Sequence, residues 1–145
     1  MLRYGSFGAL VALALVACAQ SAPPHPEGWP QLSRDVWATA SDAGPERYAY
    51  VSVPTTGSLS DLASSQAIAT VERFHGSRLL SSAPFPACPG EAGLARYTLP
   101  GGEVLEVAFT VYQGSATTVL YRRPKSLPDA PSVTAAMRQT VCWSL

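Results

Sequence analysis

Hydrophobic and polar positions alternate with two different periods along this chain, and the switch between them marks its elements. Tyr48–Val53 alternates small apolar with aromatic or polar residues, the two-residue period of a strand. Val36–Ala38 is a shorter candidate strand, separated from it by the turn-forming run Ser41–Pro45. From Ser58 to Phe74 the period changes. Leu59, Leu62, Ala63, Ala67, Val71 and Phe74 recur at three- and four-residue steps, which predicts a helix with one apolar stripe. Ser58 and Asp61 have capping-box spacing at its start, Gly76 suits its end, and Arg73 complements the negative pole of its dipole.

The strand period then returns. Arg78–Ser82 reads as a short strand and Pro84–Gly90, with three prolines and Cys88, as a loop. Leu94–Leu99, Glu103–Tyr112 and Thr117–Arg123 follow, joined at Gly101-Gly102 and Gln113-Gly114-Ser115. In the middle strand Leu105, Val107, Phe109 and Val111 face one way and Glu106, Ala108, Thr110 and Tyr112 the other. This predicts a three-stranded antiparallel meander with one buried face. After the loop Pro124–Pro131, Asp129 is placed to cap a last helix that buries Val133, Ala136, Met137 and Thr140. The order implies a single small α+β domain, an antiparallel sheet packed with two helices.

The N-terminal pattern has neither period. Phe7–Val16 is apolar apart from Gly8, and Arg3 precedes it. The run is shorter than the roughly 20 residues needed to span a bilayer and suits an export signal. Leu15-Val16-Ala17-Cys18 follows directly and resembles the lipobox of bacterial lipoproteins, which implies cleavage before Cys18 and acylation of its thiol. Ala17-Cys18-Ala19 is also an A-x-A site, whose cleavage would release a soluble chain starting at Gln20. The expected organisation is a signal peptide at 1–17, a lipidated cysteine and proline-rich tether at 18–35, and the folded domain at 36–145. Four prolines between Gln20 and Pro30 favour extended geometry, a stand-off of about 35 Å at roughly 3.1 Å per residue. The expected location is the bacterial cell envelope, lipid-anchored at the outer membrane or cell surface.

Composition narrows the function classes. Only 14% of residues are charged and the formal net charge is zero, so no basic field is available for nucleic acid. In an exported chain Cys88 and Cys142 most simply form one disulfide; free thiols, a redox pair without C-x-x-C spacing, or a metal site with His75 are the alternatives. No catalytic constellation, metal set or cofactor fingerprint is present in the motifs. His75 is placed as a dipole partner or, alternatively, a general base. Glu103 and Glu106 point to opposite faces of a strand and cannot cooperate. His25 lacks a neighbouring ligand, and Trp29 reads as a packing residue at the start of the domain. Tyr48, Tyr50, Tyr97, Tyr112 and Tyr121 read as packing residues under the helices, or as the lining of a small-molecule groove. Arg122, Arg123 and Lys125 form the one basic cluster, a solvated strand end or a contact patch for anionic headgroups or an acidic partner.

From Trp37 onward, the order of the Tyr48–Val53 strand, the helix after Gly57-Ser58-Leu59, the meander with Tyr97, Val107 and Tyr121, and a terminal helix resembles the PsbP-like family. That resemblance spans roughly residues 36–142 and implies an antiparallel sheet sandwiched by helices and a non-enzymatic accessory or binding role. The cysteine pair is outside the family pattern. The expectation is therefore a membrane-tethered, non-catalytic accessory domain without a cofactor, with the membrane and an unknown protein or cell-envelope component as partners. A binding module for a small apolar or lipidic ligand is the alternative, and a thiol-redox or hydrolytic enzyme the third.

Overall fold

A computed structural model describes residues 22–142; the export segment 1–17 and Cys18 lie outside the described residues. Seven strands and two helices follow in the order β1 (Gln31–Ser33), β2 (Val36–Ser41), β3 (Gly44–Pro54), α1 (Leu59–Arg73), β4 (Arg78–Pro84), β5 (Ala92–Leu99), β6 (Glu103–Tyr112), β7 (Ser115–Pro124) and α2 (Pro131–Val141). They form one antiparallel sheet ordered β1-β2-β3-β7-β6-β5-β4, and the fold is α+β as expected.

The predicted meander β5-β6-β7 is the centre of this sheet, but both of its faces are buried. Leu105, Val107 and Phe109 pack with Tyr97 and Leu99 under Leu59, Leu62, Ala63 and Phe74 of the α1 side. Ala108, Val119 and Tyr121 pack with Trp37 and Tyr48 under Val133, Ala136, Met137 and Val141 of α2. The two helices therefore cover opposite faces, and the expected single buried face is corrected to two. The low charge content has its physical counterpart here: a sheet covered on both sides needs apolar residues at nearly every position.

Helix α1 begins as expected. Ser58 accepts from the Asp61 N–H at 3.2 Å, and the Asp61 carboxylate accepts from the Ser58 N–H at 2.9 Å. Its stripe holds at Leu59, Leu62, Ala63 and Phe74 and departs at one position. Thr70 is the buried position, its hydroxyl donating to the Gln66 carbonyl at 2.8 Å, whereas Val71 is 57% exposed. Helix α2 starts at Pro131 without a side-chain cap; its N-cap is Ala130, and Asp129 pairs with Arg123 instead.

The largest departure is at the start. The stretch expected to be a free tether is folded onto the α2 face. The His25 ring stacks on Trp37 with centroids 4.5 Å apart and planes 2° from parallel, and its Nδ1–H donates to the Pro23 carbonyl at 2.9 Å. Pro26 is fully buried, Trp29 lies 6.1 Å from Tyr121, and β1 pairs with β2. The folded domain thus begins well before residue 36. Proline-rich composition signals extended backbone, and extended backbone packs on an aromatic surface as readily as it stands in solvent.

Candidate functional site: an arginine-lined groove

Strand alternation decides which charged side chains meet. Arg47 on β3 and Arg122 on β7 are direct cross-strand partners, so both guanidinium groups stand on one sheet face. Like charges in that relation are unfavourable. The last turn of α1 adds Arg73 on the same side. Phe74, the C-cap of α1, presents its ring to two of these cations, 5.6 Å from the Arg73 guanidinium carbon and 5.5 Å from that of Arg122.

The three arginines line a cavity of about 280 Å³ whose remaining walls are Ala49, Leu105, Leu120 and Phe74. Glu103 at the start of β6 is the acidic neighbour. It takes Arg122 bidentately, through Nε and through Nη2 at 2.9 Å, and this contact holds the Arg122 guanidinium above its usual range. Arg47 and Arg73 form no ion pair among the described residues. The cavity continues past Arg47, Arg122 and Pro45 into a wider depression of about 640 Å³ bordered by Gly101, Gly102 and Lys125. The depressions adjoin through shared lining residues, Arg47 and Arg122 and then Pro45 and Glu103, from the C-terminal end of α1 to the β5–β6 turn.

The opposite face carries a closed polar network. Glu106, 3% exposed, accepts from Arg96 Nε at 3.3 Å and Arg123 Nη2 at 3.4 Å, and Asp129 accepts from Arg123 Nη2 at 2.9 Å. Burial raises the Glu106 carboxyl above its ordinary range, the neighbouring Asp129 raises it further, and the two arginines oppose the shift. Nearby, the Tyr121 hydroxyl donates to Glu46; burial first and that carboxylate second push its phenol up. Burial likewise pushes the Tyr48 phenol up to about 12, partly offset by Thr140.

The residues singled out in the sequence are thus redistributed. Arg122 and Lys125 border the groove, while Arg123, next to Arg122 in a strand, points through the sheet into the Glu106 network. The cluster does not form one patch. Glu103 and Glu106 diverge as the strand period requires, one to each network. Cys88 and Cys142 come together as a disulfide-capable pair, Cα atoms 5.1 Å apart. His75 is exposed beyond α1, and no group of three metal-ligating side chains assembles among the described residues. Tyr48, Tyr97 and Tyr121 are core residues. Sequence reading missed Arg47 and Arg73 as groove residues. The only local signal was strand parity, which puts Arg47 on the face opposite Tyr48 without saying what stands there.

No protein-family model matches the chain, and no curated protein does. Among solved structures, it is similar to the solution structure of cyanobacterial PsbP (CyanoP) from Synechocystis sp. PCC 6803. The two are 9% identical and superpose with a TM-score of 0.46 over 63% of this chain and 71% of that one.

Proposed function

We propose that this chain is an exported lipoprotein whose domain serves as a non-catalytic accessory or interaction module, held close to a membrane of the bacterial cell envelope by acyl chains on Cys18. The observation that carries the reading is the lipobox Leu15-Val16-Ala17-Cys18, and the packing of His25, Pro26 and Trp29 against the α2 face shortens the segment left between it and the domain. A chain spans at most about 3.5 Å per residue, so the Cα of Ala22 lies within about 14 Å of the Cα of Cys18. On this reading the anchor works as a short leash that keeps the domain close to the bilayer. Each buried CH₂ of the anchor contributes about 0.8 kcal/mol, so several acyl chains make the attachment durable. The partner is a protein or envelope component within that reach.

Intact-mass measurement of the mature protein purified from membranes tests this. The expected species begins at Cys18 and carries fatty acid, and Cys18→Ala leaves the membrane fraction without an acylated form. A mature chain beginning at Gln20, free of acyl groups and soluble, overturns the reading.

A further inference from the structure

We propose that the groove between the C-terminal end of α1 and strands β3 and β7 binds an amphipathic anion: a phosphate or carboxylate head joined to an apolar chain or ring. Arg47, Arg73 and Arg122 line it together with Ala49, Leu105, Leu120 and the Phe74 ring, so cationic and apolar groups share one cavity. This goes beyond the tethering reading and does not depend on it.

The charge is local. The whole chain is formally neutral, yet three guanidinium groups line one small cavity with a single carboxylate among them, Glu103, already engaged by Arg122. Arg73 alone is explained as a partner for the helix dipole, and Arg122 alone as a partner for Glu103. Neither account covers Arg47, placed directly opposite Arg122 on the same face with no carboxylate of its own among the described residues. An incoming oxyanion relieves that repulsion. The planar guanidinium fork matches phosphate and carboxylate geometry, and two of the three forks have donors not engaged in ion pairs. At about 280 Å³ the cavity takes a head group and a short apolar stub. Its continuation toward Gly101 and Lys125 leaves room for a longer molecule to run along the groove.

The same chemistry has two sources, a free organic anion or the head group of an anionic lipid beside the anchor. The mature full chain in phosphatidylcholine nanodiscs is titrated with hexyl phosphate, followed by calorimetry and by the amide resonances of Ala49, Arg73 and Phe74. Saturable binding at least tenfold tighter than that of inorganic phosphate is expected, with shifts at those three amides. Arg47→Ala and Arg73→Ala, whose side chains are exposed and outside the ion pairs of the fold, each weaken it fivefold or more while unfolding as cooperatively as the wild type and keeping its amide spectrum away from the groove. Nanodiscs containing phosphatidic acid separate the sources: suppressed hexyl phosphate binding identifies a lipid head group, and unchanged binding a soluble anion. Hexyl phosphate binding no tighter than inorganic phosphate, or affinity indifferent to both substitutions, overturns the proposal. The soluble chain released from the Cys18→Ser precursor gives the same titration, so a failure of anchoring is distinguishable from a failure of the site.

Discussion

Gly93 shows how tightly the α1 face is set at the level of one atom. It lies opposite Phe109 across β5 and β6, and a Cβ placed on it would fall 2.4 Å from the ring's Cζ. The phenyl ring occupies the space that any side chain at 93 would need. Gly93→Ala is therefore expected to cost about 1–3 kcal/mol as overpacking, measured by urea denaturation. Phe109→Leu in the same chain should relieve much of the added cost, and strict additivity of the two substitutions would contradict the contact. Glu106 gives the corresponding electrostatic case. Its folded-state pKa is raised, so between the ordinary carboxyl value of 4.5 and that higher value the native state holds a proton the unfolded chain has released. The contribution of this group to stability must fall as pH rises through that window and level off above it. Denaturation of wild type and Glu106→Gln across pH 4 to 8 checks the sign: wild-type stability relative to the variant declines with rising pH, and a constant difference would refute it. The network itself was not legible in the sequence. Strand parity separates Glu106 from Glu103, but Arg96, Arg123 and Asp129 reach it through pairing register and loop path, which no local pattern encodes.

Elements with a strong period were legible, and those held by tertiary contacts were not. Helix α1 carries both of its signals, a capping box and a recurring apolar stripe, and it forms within one residue of the expected bounds. Ser58→Ala is expected to cost about 1 kcal/mol by leaving the Asp61 N–H unsatisfied. Amide exchange should show the first turn fraying ahead of the rest, and uniform protection along α1 would argue against the cap's role. The misplacement of Val71 follows from the same rule that found the helix: a period fixes the stripe to within about one residue, and the sheet surface then selected Thr70. Strand β1 is three residues long beside a proline-rich run and has no period at all. It exists because β2 offers an edge and because Trp37 and Tyr121 offer ring faces to His25 and Trp29. Asp129 has the composition of a cap, but the ion pair to Arg123 at 2.9 Å claims it.

At the scale of the whole molecule, the sheet is a two-sided platform, and the groove exists because it joins residues from distant parts of the chain. Arg47, Arg73 and Arg122 share no segment, so composition could not gather them, whereas the adjacent Arg122 and Arg123 are sent to opposite faces by the alternation of the strand that carries both. The Cys88–Cys142 pair is the one long-range relation that the sequence did carry, because the two cysteines beyond the N-terminal segment have a single way to pair with each other. Its structural effect is to fasten the end of α2 to the loop between β4 and β5. Arg138 reinforces the same junction, donating to the Pro86 and Ala87 carbonyls at 3.1 Å each and lying 5.4 Å over the Phe85 ring. A bridge across a separation of 54 residues restricts the unfolded chain by on the order of 4 kcal/mol. Cys142→Ser should therefore lower the free energy of unfolding by about that amount, and reductant should do the same to the wild type without adding to the variant. The Arg138 contacts remain, so the native state should loosen locally first. Amide exchange is expected to speed up at Met137–Val141 while β5, β6 and β7 keep their protection. If reduction leaves the unfolding midpoint where it was, the pair is not bridged in the protein. If the sheet and α2 instead lose protection together, the second helix is part of the cooperative core, held by Val133, Met137 and Val141 without help from the cysteines.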